Sequence, residues 1–72
     1  MQLSDATPGA RVKYIPGVAN GDPYHPDCET GFVSTHNDQY VFVKFDQSLS
    51  QNNWDNVTSQ SCKPEDLLFI HA

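Results

Sequence analysis

Apolar and polar positions alternate most regularly over Val41-Phe42-Val43-Lys44-Phe45, preceded by Tyr40. A period of two marks a strand with one buried face. Lys44 belongs in water, so Val41, Val43 and Phe45 take the core side, and Tyr40 and Phe42 share the outer side with Lys44. Weaker versions of the pattern lie on either side. Ala10-Arg11-Val12-Lys13-Tyr14-Ile15 predicts a first strand with Val12 and Tyr14 inward and Arg11 and Lys13 outward. Pro16-Gly17 stops it, because proline gives a ladder no donor. Thr30-Gly31-Phe32-Val33-Ser34 predicts a second strand, in which Gly31 marks a bend or a close backbone approach. Val57-Thr58-Ser59-Gln60-Ser61 reads as a weaker fourth strand and Leu67-Leu68-Phe69-Ile70 as the last.

The connections complete the picture. Residues 1–9 are polar and end in the turn signal Pro8-Gly9, so residues 1–8 read as a flexible lead-in to a domain over 9–72. Residues 16–28 form a long loop rich in Gly, Pro, Asn and Asp, a length that is uncommon in small domains and often functional. His36-Asn37-Asp38-Gln39 reads as a hairpin turn. Residues 46–56 show no helical period and read as a loop carrying Trp54. Pro64-Glu65-Asp66 suits a single tight helical turn. The succession predicts an all-β chain folded as a small five-stranded SH3-like barrel, with an OB-like barrel as the alternative. Closing the sheet would hide edges that otherwise invite aggregation.

Seventy-two residues allow one domain, with a stability of about 5 kcal/mol at best. A compact sheet, a metal, a disulfide or a partner is then expected to support it. Arg11, Lys13, Lys44 and Lys63 face nine acidic residues, for a net charge of −5, and no two bases are adjacent. Phosphate backbones draw affinity from several clustered cations, so non-specific nucleic-acid binding is disfavoured and a basic protein surface is the better match. Met1-Gln2-Leu3-Ser4-Asp5 shows neither the basic nor the apolar region of a signal peptide. No apolar run approaches the roughly 18 residues of a membrane span. A soluble, cytoplasmic protein without membrane contact is expected, in which cysteines are more often thiols or ligands than disulfides.

Two constellations carry candidate chemistry. His25 and Cys28 are three residues apart in a Pro-bounded loop, and Cys62 precedes the last turn, where a barrel would bring it to the same end as Cys28. Thiolate and imidazole suit tetrahedral zinc, which would support a small domain. Asp22, Asp27, Glu65 or water would supply a fourth ligand, His71 lying at the far end of the last strand. The alternatives are two small buried side chains, or a Cys28–Cys62 disulfide. No other cofactor is implied. The second constellation is aromatic: Tyr24, Tyr40, Phe42 and Trp54, accompanied by Asp22, Asp27, Asp46 and Asp55. Such rings hold a proline-rich peptide or a cation, and the carboxylates favour a positively charged protein partner. Phe42 and Trp54 would otherwise cover a small apolar cluster, and an outer face with Tyr40 and Phe42 would also serve contact between copies of the chain. Arg11, Lys13 and Lys44 beside these rings give the nucleic-acid alternative, a stacking platform. A Gly-rich phosphate loop and an HExxH motif are both absent from the sequence, and a His25–Cys28 pair lacks a third orienting group, so an enzyme is not expected.

The strand-bearing stretches Gly9-Ala10-Arg11-Val12, Glu29-Thr30-Gly31-Phe32-Val33 and Val41-Phe42-Val43-Lys44-Phe45, with Pro64-Glu65-Asp66-Leu67, resemble KOW, Tudor and other SH3-like barrels over residues 9–70. The resemblance implies RNA or protein binding for KOW domains and binding of methylated side chains for Tudor domains. Val12-Lys13-Tyr14-Ile15-Pro16, His25-Pro26-Asp27-Cys28-Glu29, Val41-Phe42-Val43-Lys44-Phe45 and Cys62-Lys63-Pro64-Glu65-Asp66-Leu67 are similar to stretches of short proteins of tailed bacteriophages and prophages. That likeness implies a phage accessory role toward a host or phage protein and carries no residue roles. Together these readings predict a small interaction module.

Overall fold

The structure, a computed structural model, describes residues 2–70. Strands β1 (Arg11–Tyr14), β2 (Glu29–His36), β3 (Val41–Phe45), β4 (Gln60–Cys62) and β5 (Leu67–Phe69) form one five-stranded sheet in the order β4-β3-β2-β1-β5. Every neighbouring pair is antiparallel. The sheet curls into the half-barrel of a small SH3-like all-β domain, as the alternation predicts. Its ends are β4 and β5, and a cleft lies along β4, reaching the ends of β1, β2 and β3 and the turn before β5.

The core follows from strand alternation. Val12, Val33, Val41 and Val43 are fully buried, and Phe45, Cys62 and Leu67 join them. Branched side chains at these positions pack well on a pleated surface. Gly31 pairs with Val12 on one side and Phe45 on the other, inside the curl. A Cβ there would lie 2.6 Å from the Lys44 carbonyl oxygen and 2.8 Å from a Val43 methyl, so only glycine lets β3 come this close. Past Val33 the β2–β3 register shifts before Thr35, an irregularity that also bends the strand. The Ser34 hydroxyl there donates to the Phe42 carbonyl at 3.3 Å.

Several elements depart from expectation. The fourth strand lies at Gln60–Cys62 rather than over residues 57–61, because Cys62 is buried opposite Val41 and fixes the register. The segment after β3 opens with a short helix, α1 (Asp46–Leu49), and Trp54–Asn56 forms a 3-10 turn. The hairpin turn is held by Asn37, whose side-chain oxygen accepts from the Gln39 and Tyr40 amides at 2.8 and 2.7 Å. Residues 2–8, whose polar character suggests a mere lead-in, place a 3-10 turn at Leu3–Asp5, pack Leu3 on the core and bury Ala6 completely.

Candidate binding cleft and aromatic outer face

The outer face of the sheet carries a row fixed by register: Arg11 pairs with Phe32, and Phe32 with Lys44. The Arg11 guanidinium stands 4.6 Å from the centre of the Phe32 ring, and Lys44 Nζ stands 4.5 Å over Trp54. Trp54 meets Phe32 edge-on, with ring centres 6.5 Å apart. Lys13 Nζ lies 5.8 Å from the Tyr24 ring. Each of these cations is also engaged by an oxygen. Arg11 donates to both Asp46 carboxylate oxygens at 2.5 and 2.6 Å, Lys44 to the Trp54 carbonyl at 2.6 Å, and Lys13 to the Pro23 carbonyl at 2.8 Å. The Arg11 bonds, with a Thr30 hydroxyl that donates at 2.6 Å, hold the Asp46 carboxyl below its usual range.

The predicted aromatic set divides over this geometry. Tyr24 is almost entirely exposed and Trp54 is 40 % exposed, with one side against Phe32 and Lys44. Phe42 is half-buried between Thr35 and Ser61 on the outer side. Asp22 accepts the Tyr24 amide at 2.9 Å and so shapes the loop, while Asp55 is exposed in the 3-10 turn beside Trp54. Tyr40 precedes β3 in the Asn37-held turn, is partly exposed and borders the cleft.

That cleft, of about 310 Å³, is walled by Tyr14, Tyr40 and Phe45, with Glu29 and Asp66 among its polar residues. Tyr14 and Phe45 meet edge-to-face with ring centres 6.2 Å apart. Gln60, Ser61, Cys62 and Lys63 complete the lining. The Cys62 thiol is pushed up to about 11, first by burial and then by the negative charges of Asp66 and Glu29. Glu29 and Asp66 thus bring negative charge to this wall, opposed in part by Lys63. A second recess, formed with Gln39, Pro64 and Glu65, adjoins it at Tyr40 and Lys63. Sequence reasoning missed the partnership of Tyr14 with Phe45, Glu29 and Asp66. The one signal for it was Tyr14 itself, a polar-tipped ring on the inward side of a strand end, where its hydroxyl needs water or a partner.

His25, Cys28 and Cys62 do not assemble. Among the described residues no group of three or more His, Cys, Asp or Glu side chains is placed to hold a metal ion. Both cysteines are free thiols, so the disulfide alternative also falls. Cys62 points into the core, whereas the Cys28 thiol donates to the Asp22 carbonyl at 3.3 Å within its own loop. His25 Nδ1 accepts the Asp27 amide at 3.0 Å and closes a local turn. His71 lies outside the described residues.

In comparisons with known proteins, no family model, no curated protein and no solved structure matches the chain. Among the described residues no helix is long and apolar enough to cross a membrane.

Proposed function

We propose that this chain is a non-catalytic interaction module for a protein partner, with the cleft as its principal site and Tyr24, Trp54 and Asp55 as a secondary contact. The observation that carries the reading is the meeting of three aromatic rings and two carboxylates in one concavity, Tyr14, Tyr40 and Phe45 with Glu29 and Asp66. Concave apolar walls with a few polar groups are where proteins place ligands. The acidic lining and the net charge of −5 favour a basic partner surface. An accessory role toward a host or phage protein is the finer form of this proposal.

A second reading has its own support: Arg11, Lys13 and Lys44 share the outer face with Phe32, Trp54 and Tyr24. Rings interleaved with cations suit single-stranded nucleic acid. The protein reading is preferred because each of those cations already has an oxygen partner.

The test is affinity capture of a partner with the wild-type chain, Tyr40→Ala and Trp54→Ala, each checked for cooperative unfolding. Tyr40→Ala should weaken retention about tenfold or more, and Trp54→Ala less. Retention unaffected by Tyr40→Ala would overturn the assignment of the cleft. Quenching of Trp54 fluorescence by a single-stranded oligonucleotide, weakening steeply with salt, would favour the second reading instead.

A further inference from the structure

Resting on the cleft as the binding site, we propose that it takes one arginine side chain of the partner, its guanidinium against the tyrosine rings of Tyr14 and Tyr40 and paired with Glu29 and Asp66. The size admits a single side chain: about 310 Å³ is at the bottom of the range of small-molecule sites. The walls select its charge. Ring faces attract cations, and the two carboxylates add to that attraction. Anionic groups are disfavoured by the carboxylates of Glu29 and Asp66 in the lining.

The choice among cations follows from the kind of acceptors present. Glu29 and Asp66 offer carboxylate oxygens, and Gln60 and Ser61 add neutral acceptors on the β4 side. Guanidinium carries five N–H donors in a plane, stacks flat on aromatic rings and gives up water readily. An ammonium group is compact and strongly hydrated, so it loses more on entering an aromatic wall. A quaternary ammonium has no N–H to donate and would leave the carboxylates without hydrogen-bond partners. Lys63, on the rim shared with the second recess, is the chain's own competing cation. It offsets part of the acidic charge and lowers affinity for an incoming one.

The experiment is an NMR titration of the intact chain with end-capped tripeptides Gly-Arg-Gly, Gly-Lys-Gly and Gly-citrulline-Gly, citrulline being the neutral isostere of arginine. Saturable shifts are expected at Tyr14, Tyr40 and Ser61 with the arginine peptide. Binding should be about fivefold weaker with lysine and at least about tenfold weaker with citrulline. Glu29→Gln should weaken the arginine peptide about fivefold, and Lys63→Gln should tighten it about twofold. Glu29 is exposed, so that variant leaves the core intact. Equal binding of citrulline, equal binding of lysine, or shifts confined to the outer face would overturn the proposal. A partner whose retention needs Tyr40 while the arginine peptide fails to bind would also overturn it, leaving the interaction module itself standing.

Discussion

At Gly31 the strand comes so near its neighbour that an added methyl would press on the Lys44 carbonyl oxygen at 2.6 Å and on Val43 at 2.8 Å. Neither can retreat freely, since one is backbone in a ladder and the other is a fully buried side chain. Gly31→Ala is therefore expected to cost about 1–3 kcal/mol, read as a lower urea midpoint with an unchanged slope. An unchanged midpoint would mean that β3 has room to shift and that the curl does not depend on this glycine. Gly31 was legible in the sequence because a glycine inside an alternating strand marks a bulge or a close backbone approach. Val12, Val41, Val43 and Phe45 were legible from alternation alone. Tyr40 was legible as a candidate binding residue, but not its place at the cleft beside Lys63, because it sits in a turn that Asn37 controls. Cys62 was legible as a small buried side chain, the reading the structure bears out, but zinc ligation and a disulfide stood beside it, because its neighbours Gln60 and Ser61 are exposed and give no apolar rhythm.

The short helix α1 shows what was hidden one scale up. Four residues cannot display a helical period, and the helix is held by a clamp that only the folded sheet creates. Asp46 at its first turn receives two bonds from Arg11, thirty-five positions earlier, and one from Thr30. The three residues tie the end of β3 across β2 to β1. Arg11 keeps the Asp46 carboxyl below its usual value, and the sign of the pH effect follows. The unfolded carboxyl takes up its proton near pH 4 while the folded one is still ionised, so the unfolded state binds more protons in that window. The clamp's contribution is fully present above the unfolded value and is lost as the pH falls through the lowered folded one. Melting temperature should therefore decline on acidification below about pH 4, and Asp46→Asn should flatten that decline while lowering stability at neutral pH. The pair is substantially solvent-exposed, so the neutral-pH effect will be modest and will shrink in salt. Identical acid profiles for the two proteins would show that Asp46 gains nothing from Arg11.

For the whole molecule, the question is how so small a chain stays folded with both thiols free. Its fully buried large side chains are Val12, Val33, Val41 and Val43, a core of modest volume. Residues before β1 enlarge it. Ala6 is fully buried in the same cluster as Val12 and Val33, and Leu3 packs against that cluster. The segment reads as flexible in the sequence because no strand pattern crosses it. Burial of isolated apolar side chains by a folded-back turn leaves no periodic trace. Deleting residues 1–8 would return the area under Leu3 and Ala6 to water, a loss of about 1–3 kcal/mol. In a domain of this size each kcal/mol moves the melting temperature by about 4–8 °C, so a fall of about 5–20 °C is expected in a thermal scan. Leu3→Ala should reproduce part of that fall, since the rest comes from the backbone turn that places Ala6. A truncated chain that melts with the full-length one would show that β1–β5 alone supply the stability and that the first eight residues ride on the core without supporting it.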